Sequence, residues 1–347
     1  MIRKPTKEIK IGNVTIGNNN PIAIQSMTNT LTKNIPETIA QIKELQELGC
    51  EIVRVSVPDQ ESVNALKEIK QNINIPLVAD IHFDAKLAIE AAKYADKLRI
   101  NPGNIGNEEK IKQVINAAKE NNIPIRIGVN LGSLEKDLEK EYGLTPKAML
   151  ESVKRQIAIF EKNDFHNIVV ALKTSDIKKT IEVNRMFAKE YDYPIHLGIT
   201  EAGSGFSGTI KSSIGIGTLL QDGIGDTIRV SLSAQPNEEV KVAKQILSSL
   251  KIRKFGVEIT SCPTCARANL DVIQTTKELE KLTEKSKTPI SIAVMGCAVN
   301  GPGEAKEADI GVVGGIDECL LYKKGEIIRK IKKEDISKVL LDEIEGR

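Results

Sequence analysis

Residues 52–81, IVRVSVPDQESVNALKEIKQNINIPLVADI, contain the repeat that decides the fold. The apolar run IVRVSV at 52–57 is followed by a polar turn, by a stretch with helical spacing of its apolar residues, and by a second apolar run, LVADI at 77–81. Short apolar runs bounded by turn residues are typical of buried strands, and helical spacing between them is typical of an amphipathic helix. The stretch therefore predicts one strand–helix–strand unit of a parallel sheet.

The same pattern occurs eight times in the first 250 residues. The runs are IAIQ (22–25), IVRVSV (52–57), LVADI (77–81), KLRIN (97–101), IRIGVN (125–130), NIVVALK (167–173), IHLGIT (195–200) and TIRVSL (227–232). Such a series predicts an α/β fold, a (β/α)8 TIM-type barrel, with a doubly wound open sheet as the alternative. EIKIGNVTIG ahead of the barrel predicts a hairpin. Residues 131–145 are the longest stretch without a regular pattern, which predicts a mobile loop over the barrel mouth.

The pattern changes after Lys251. We expect a strand (FGVEIT), a Cys-bearing turn, a long helix at 268–285, a strand (ISIAVM), a second Cys-bearing Gly-rich turn, short strands (DIGVVGG, ECLLYKK, EIIRKI) and a closing helix. The sequence therefore predicts two domains, a barrel over residues 1–250 and a smaller α+β domain over residues 251–347.

Composition excludes several classes of protein. Hydrophobic residues make up 40% of the 347 residues and charged residues 28%, which is typical of a globular chain. The 49 basic and 47 acidic side chains leave a net charge of +2, too balanced for a general binder of nucleic acid or of anionic membranes. No window approaches the roughly 18 apolar residues that span a bilayer, and MIRKPTKEIK has no apolar stretch behind its charges. We expect a soluble cytoplasmic protein, and the odd number of cysteines, five, favours metal or redox chemistry over a disulfide framework.

Basic side chains interrupt five of the apolar runs. They are Arg54, Arg99, Arg126, Lys173 and Arg229. Any one of them is most simply interpreted as a strand-end residue that reaches solvent or pairs with a carboxylate. Five in one closed barrel are expensive to bury, because only Asp80 and Glu201 lie on neighbouring runs to offset them. A bound polyanion resolves the imbalance, and converging Arg side chains suit a diphosphate.

Polar residues at similar strand-end positions favour a hydroxylated ligand and ordinary turn or capping roles about equally. These are Asn101, Asn130, Ser231 and His82, whereas we interpret His166 and His196 as scaffold residues. The stretch EAGSGFSGTIKSSIGIG at 201–217 resembles a dinucleotide fingerprint only weakly, and a loop that brings backbone amides to a ligand explains it equally well. Glu201 begins this stretch and is placed to act as an acid or base.

Three cysteines of the second domain carry the strongest signal. Cys262 and Cys265 form a C-x-x-C motif, and Cys297 follows after 31 residues. A zinc ribbon or a surface dithiol is the alternative, but a structural zinc site needs four ligands and Cys297 has no nearby Cys or His partner. Three thiolates on Gly- and Pro-rich loops suit a [4Fe-4S] cluster, whose fourth iron takes another ligand or stays open for substrate. Glu304 lies seven residues past Cys297 as a candidate oxygen ligand, and we interpret Cys50 and Cys319 as buried core thiols.

The motifs together point to a known family. SCPTCAR and GCAVNGPGEA, with the barrel strings VRVSVP, ADIHF, LRINPGN, IRIGVN, ITEAG and IRVSL, closely resemble those of the 4-hydroxy-3-methylbut-2-enyl diphosphate synthases of the methylerythritol phosphate route to isoprenoids. The resemblance runs nearly end to end. With two domains and no large insertion, the chain is similar to the compact bacterial form.

The resemblance implies an activity and a set of roles. The activity is the reductive ring opening and dehydroxylation of 2-C-methyl-D-erythritol 2,4-cyclodiphosphate, with two electrons delivered through the cluster from flavodoxin or ferredoxin. Cys262, Cys265, Cys297 and Glu304 would hold the [4Fe-4S] cluster, and Glu201 would be the acid. The substrate-binding residues would be Arg54, Asp80, His82, Arg99, Arg126, Asn130, Lys173, Arg229 and Ser231. Family members are homodimers in which the cluster domain of one subunit covers the barrel of the other.

A function of another class remains open at this stage. A barrel with a polyanion pocket and a zinc-like appendage is also compatible with a non-redox phosphosugar or pterin-type transferase, or with a binding module that holds a structural metal. The colour of the purified protein distinguishes these, because an iron–sulfur protein is brown and a zinc protein is colourless.

Overall fold

A computed structural model describes residues 2–284 and 286–346 of the chain. The chain divides into two units, Met1–Leu250 and Lys251–Arg347. Within the described residues, no helix is both long enough and apolar enough to cross a membrane.

The first unit begins with the expected hairpin, in which β1 (Ile9–Ile11) pairs antiparallel with β2 (Val14–Ile16). Gly12, at the first loop position, has a φ of +56°, a conformation that suits glycine in a two-residue hairpin turn. The hairpin buries Ile11 and Ile16 against Ile52 and Val169. These contacts lie at the start of the strands, so the hairpin closes that end of the barrel and leaves the other end for a site.

Eight parallel strands of the described chain form the barrel. They are β3 (Ala23–Met27), β4 (Ile52–Ser56), β5 (Leu77–Asp80), β6 (Lys97–Ile100), β7 (Ile125–Asn130), β8 (Ile168–Lys173), β9 (His196–Leu197) and β10 (Thr227–Ile228). Strands β3 to β8 pair in chain order, β10 pairs with both β3 and β9, and a bridge between Val170 and Ile195 joins β8 to the segment that enters β9. This topology confirms the TIM-type barrel, and the doubly wound open sheet is wrong.

Helices follow each strand and cover the barrel. They are α1 (Ile35–Glu47), α2 (Gln60–Gln71), α3 (Ala85–Ala91), α4 (Pro102–Ile105), α5 (Glu108–Glu120), α6 (Lys136–Tyr142), α7 (Pro146–Lys162), α8 (Ile177–Glu190), α9 (Gly205–Gln221) and α10 (Pro236–Ser249). Local sequence sets several of their starts. Asp59 accepts a hydrogen bond from the Ser62 amide at 2.8 Å ahead of α2, and Thr145 accepts one from the Ala148 amide at 3.3 Å ahead of α7.

The expectation of a structureless loop at 131–145 is wrong. A 3₁₀ turn at Leu131–Ser133 leads into α6, which ends at Gly143 with a φ of +67°. Only Leu138 of α6 is buried, so the helix presents too few apolar residues to show a period in the sequence. An ion pair between Asp137 and Arg155, at 2.5 Å, joins α6 to α7.

The second unit is a five-stranded sheet with helices, as the predicted α+β fold requires. Its elements are β11 (Val257–Ser261), α11 (Val272–Thr283), β12 (Ile290–Met295), α12 (Gly301–Glu307), β13 (Ile310–Gly314), β14 (Glu318–Lys323), β15 (Glu326–Lys332) and α13 (Ile336–Glu345). The sheet order follows the chain, with two parallel pairs and then two antiparallel pairs.

Two boundaries in this unit differ from the sequence analysis. The helix expected at 268–285 begins at Val272, because Asp271 caps it by accepting from the Gln274 amide at 3.0 Å; residue 285, its expected end, lies outside the described residues. The Gly-rich turn after Cys297 continues into α12, so Glu304 lies in the first turn of a helix and not in a loop. Gly301 is typical of a turn in sequence, but here it serves close packing. A Cβ at this position would lie 2.6 Å from Val313.

The barrel interior contains a lysine that the sequence analysis did not single out. Lys97 on β6 has no exposed surface, and within the part of the chain that the structure describes its ammonium donates only a long hydrogen bond, 3.4 Å, to the Gln25 side chain. Burial, with the neighbouring guanidinium groups of Arg126 and Arg54, lowers the pKa of Lys97 well below its ordinary value. A cation at this position therefore destabilises the folded barrel.

We predict that Lys97→Met raises the free energy of unfolding of the ligand-free protein by about 1–4 kcal/mol, because it replaces a buried cation with an apolar side chain of similar length. The unfolded chain binds the lysine proton more tightly than the folded chain does. Stability should therefore rise with pH between the lowered folded-state pKa and the ordinary value of about 10.4, and the variant should lose that part of the slope. Denaturant titrations across this pH range measure both effects.

Exposed Lys93 provides the control. Lys93→Met should leave both the stability and its pH slope near those of the wild type. A Lys97→Met protein less stable than the wild type would show that the ammonium is well compensated in the folded state.

Candidate functional site

A cavity of about 390 Å³ opens at the C-terminal ends of the barrel strands. Its walls include all but one, Asn101, of the barrel residues considered from the sequence as binding or catalytic candidates: Arg54, Asp80, His82, Arg99, Arg126, Asn130, Lys173, Glu201, Arg229 and Ser231. We call it the barrel-mouth cavity. Its size is within the range of small-molecule sites, and it lies at the end of the barrel where TIM-barrel active sites are found.

The strands position these side chains by their register. Asp80, Asn130 and Lys173 are the last residues of β5, β7 and β8. Arg99 on β6 lies directly beside Arg126 on β7 in the parallel ladder. Neighbouring strands are about 4.8 Å apart, so the ladder holds two like charges side by side.

Asp80 organises one wall of the barrel-mouth cavity. Its carboxylate accepts from Arg99 at 2.9 Å, and it lies 3.6 Å from Arg54 Nε and 3.5 Å from His82 Nε2. Burial alone would raise the pKa of Asp80, but Arg54, His82 and Arg99 outweigh it and hold that pKa well below the usual range. This wall is therefore a fixed ion-pair network, in which Arg54 also donates to the Met27 sulfur at 2.9 Å.

Arg126 has the opposite environment. It is 1% exposed, and its Nε and Nη1 have no hydrogen-bond partner among the described residues. Burial and the guanidinium groups of Arg54 and Arg99 lower the pKa of Arg126, and burial and Arg126 likewise lower that of Lys173. Buried donors without partners are costly, so Arg126 is arranged for an acceptor that arrives with a ligand, and the half-buried Lys173 lines the same cavity.

Two glycines make room for the basic groups. A Cβ at Gly128 would lie 3.3 Å from the Arg99 guanidinium. A Cβ at Gly198 would lie 2.7 Å from Lys173 Nζ and 2.6 Å from the Arg229 carbonyl oxygen. The space beside both cations therefore depends on the missing side chains.

Glu201 occupies the rim of the barrel-mouth cavity in a left-handed conformation, with a φ of +53°. This conformation costs a non-glycine residue roughly 1 kcal/mol or more. Glu201 lies in the loop between β9 and α9 and is exposed to solvent. Strain at a polar residue that faces a cavity is typical of a functional position.

Arg229 is held by a carboxylate that the sequence analysis missed. Glu239, in the first turn of α10 and 3% exposed, accepts from Arg229 Nε at 3.2 Å and from Nη2 at 3.0 Å. Arg229 Nη1 donates to Ser231 at 2.5 Å. The signal in the sequence is an acidic residue on the buried face of a helix, beside Val240 and ahead of Ala243.

Three further barrel residues do not line the barrel-mouth cavity. Asn101 caps α4, because its side chain accepts from the Gly103 amide at 3.2 Å, and it does not line the barrel-mouth cavity. Lys97 is two residues before Arg99 on the same strand, and this period-2 spacing could have identified it. His196 is a buried residue, as expected of a scaffold position, and its Nδ1 lies 2.7 Å from Thr227 Oγ1.

The three candidate thiols of the second unit are free. Cys262 Sγ accepts a hydrogen bond from the Gly296 amide at 3.1 Å, so the first cysteine motif and the turn that carries Cys297 are in contact. The Asn269 amide also donates to the Gly296 carbonyl at 2.8 Å. Cys265 and Glu304 are exposed, whereas Cys50 and Cys319 are buried.

The chemistry of these donors fits an iron–sulfur cluster, since free thiols supply soft ligands and an amide directed at sulfur is a feature of such sites. Among the described residues, no group of three or more His, Cys, Asp or Glu side chains is close enough together to hold a metal ion.

Solved structures confirm the barrel. The type I 3-dehydroquinate dehydratase of Clostridium difficile superposes with a TM-score of 0.52 at 17% identity, over 71% of this chain and 98% of that one. The dihydropteroate synthase of Yersinia pestis superposes with a TM-score of 0.50 at 12% identity, over 72% of this chain and 100% of that one. At these identities the likeness extends to the fold alone.

Sequence comparison covers both units. Residues 6–244 match the family model of the GcpE TIM-barrel domain, and residues 258–346 match that of the GcpE protein C-terminal domain. A relative from Caldanaerobacter subterraneus is 58% identical over 99% of this chain and 98% of its own length, and one from Clostridium perfringens is 53% identical over 99% of both. Both are named 4-hydroxy-3-methylbut-2-en-1-yl diphosphate synthase (flavodoxin). With both of its units matched and its relatives this similar, the chain belongs to the GcpE family.

Proposed function

We propose that this protein is a 4-hydroxy-3-methylbut-2-en-1-yl diphosphate synthase, which reduces 2-C-methyl-D-erythritol 2,4-cyclodiphosphate with two electrons, opens its ring and releases a hydroxyl group as water. The observation that carries the proposal is the barrel-mouth cavity, where Arg126 presents buried, unpartnered donors beside Lys173. Such donors match phosphate oxygens. Close relatives along nearly the whole chain bear the name of this enzyme.

The residues of the barrel-mouth cavity have two roles, binding of the diphosphate and proton transfer. Arg54, Arg99, Arg126, Lys173, Arg229 and Ser231 bind the diphosphate, with Asp80, His82 and Asn130 beside them. Ring opening breaks the bond between carbon and a phosphate oxygen, so negative charge accumulates on that phosphate and the guanidinium groups stabilise it. Glu201, on the rim, donates the proton with which the hydroxyl leaves as water.

In the second unit, Cys262, Cys265 and Cys297 would hold a [4Fe-4S] cluster, with Glu304 on its fourth iron. When bound, the cluster supplies the electrons for the reduction. The names of the relatives favour flavodoxin over ferredoxin as the donor. A cytoplasmic location suits free thiols, since that compartment keeps them reduced.

The proposal includes a homodimer in which the cluster domain of one subunit acts on the substrate in the barrel of the other, as the family resemblance implies. Mixing a Glu201→Gln chain with a Cys297→Ser chain tests this. In such a dimer one barrel and one cluster domain remain intact on different subunits, so activity should return only if subunits share sites.

Anaerobic turnover of the cyclodiphosphate with a chemical reductant tests the function. We expect product only when the reductant and the reconstituted cluster are both present. Formation of a product without reductant would favour the transferase alternative, and a colourless, zinc-loaded protein would exclude the redox chemistry.

The first prediction on the site separates two arginines. Arg126→Leu should weaken binding of the cyclodiphosphate by about tenfold or more, and should leave the stability of the ligand-free protein unchanged or higher, because Arg126 has buried donors without partners. Arg229→Leu should weaken binding too, but it leaves the buried Glu239 carboxylate unpaired and should cost roughly 3 kcal/mol or more of stability. Calorimetric titration and denaturant unfolding measure the two quantities. Equal losses of stability in both variants would contradict the assignment.

The second prediction concerns Glu201. Glu201→Gly should abolish turnover while stability stays the same or rises by up to about 1 kcal/mol, because glycine accepts a positive φ without strain. Glu201→Gln should lose turnover at unchanged stability. Asn122, which also has a positive φ, provides the control, since Asn122→Gly should keep its turnover. Full activity in Glu201→Gln would remove this residue from the proton transfer.

The third prediction concerns the cysteines. Cys297→Ser should lose the cluster, because a serine hydroxyl is too weakly acidic to replace a thiolate ligand. Cys319→Ser, at a fully buried position on β14, should keep it. Glu304→Ala should still assemble a cluster that is more sensitive to oxygen. Iron content and visible absorption of anaerobically purified protein measure all three, and a full complement of iron in Cys297→Ser would refute the ligand set.

A further inference from the structure

Glu239 is a buried acidic residue to which the proposed function assigns no role toward the ligand. Each of its carboxylate oxygens accepts two hydrogen bonds. Oε1 accepts from Arg229 Nη2 at 3.0 Å and from the Leu232 amide at 3.0 Å. Oε2 accepts from Arg229 Nε at 3.2 Å and from Ser26 Oγ at 3.3 Å.

These four bonds use the accepting capacity of a carboxylate, which has about four lone-pair positions. Glu239 also does not line the barrel-mouth cavity. It therefore has no free oxygen with which to touch a ligand or exchange a proton with one. Any influence of Glu239 on a ligand passes through the groups that it holds.

The groups that it holds line the barrel-mouth cavity. Arg229, Ser231, Leu232 and Ser233 form one part of its wall. The carboxylate occupies the Nε and Nη2 side of the Arg229 guanidinium, and Nη1 remains with Ser231 at the cavity. The bond to the Leu232 amide fixes the following loop, and the bond to Ser26 ties both to strand β3.

We propose that Glu239 is a positioning residue, which orients the Arg229 guanidinium and the 231–233 loop for one phosphate group of the ligand. The inference rests on the proposed diphosphate site. A fixed guanidinium loses less conformational entropy when it binds phosphate, so the contact stabilises the complex more than a mobile side chain would.

Charge balance and side-chain positioning predict opposite changes in anion affinity for Glu239→Gln. The substitution removes a negative charge near an anion site. If Glu239 only balanced charge, the variant would therefore bind an anion more tightly than the wild type does. The glutamine amide would place its NH₂ group against one of the two Arg229 N–H groups that Glu239 now accepts from. The bidentate pair of hydrogen bonds is then lost. A positioning role therefore requires weaker binding in a more positive cavity.

The probe is inorganic pyrophosphate, titrated by calorimetry into the full-length chain well below its melting temperature. Glu239→Gln should weaken binding by about five- to tenfold. Glu239→Asp should weaken it similarly, because the charge is kept but the carboxylate is withdrawn by one methylene. Glu238→Gln, an exposed neighbour on the same turn with the same change of charge, should stay within about twofold of the wild type.

A double-mutant cycle separates positioning from a general structural effect. In an Arg229→Met background, Glu239→Gln should add little further loss of pyrophosphate affinity, since the group it orients is gone. Equal or tighter binding by Glu239→Gln, or an undiminished loss in the Arg229→Met background, would overturn the positioning role. If Glu239→Gln does not fold, the same comparison with Glu239→Asp decides. A wild-type chain that binds neither pyrophosphate nor the cyclodiphosphate would overturn the proposed function itself.

Discussion

The repulsion between basic side chains in an interior that contains little water is the constraint on which the barrel depends. Among the described residues, six basic side chains share the interior with the buried carboxylates of Asp80 and Glu239: Arg54, Lys97, Arg99, Arg126, Lys173 and Arg229. Burial lowers the pKa of Arg54 to about 10 and those of Lys97, Arg126 and Lys173 further below their ordinary values. The apolar strands and the hairpin that closes the barrel must offset this cost. An anion that enters the barrel-mouth cavity recovers part of it as binding free energy.

The two carboxylates divide the five basic side chains that line the barrel-mouth cavity into a fixed set and an uncompensated set. Asp80 fixes Arg99 and holds Arg54 nearby, and Glu239 fixes Arg229. Arg126 and Lys173 have no such carboxylate among their described contacts. The fixed set provides a preorganised geometry, and the uncompensated set provides the attraction. A site with only the second set would bind anions without orienting them, because mobile cations adapt to many ligands.

Local patterns predicted the barrel, its strand ends and the residues of its cavity, because alternation and strand position determine which side chains face inward. Helix α6 was not predicted from the sequence because Leu138 is its only buried residue. Helix α12 was not predicted because Gly301 and Pro302 are also typical of a turn. Glu239 escaped for a different reason. It reaches Arg229 and Ser26 from positions 10 and 213 residues away in the chain, and no local pattern specifies such a contact.

The uncompensated set also bears on the barrier of the proposed reaction. Opening a cyclic diphosphate creates a terminal phosphate with an additional ionisable oxygen, so the charge on the ligand grows as the carbon–oxygen bond breaks. In the proposed reaction, Arg126 and Lys173 would attract that growing charge more strongly than they attract the intact ring. Binding that strengthens along the reaction lowers its barrier, whereas binding that is equal at both ends does not. In the proposed reaction, the cations that destabilise the empty barrel would therefore act on the bond-breaking step.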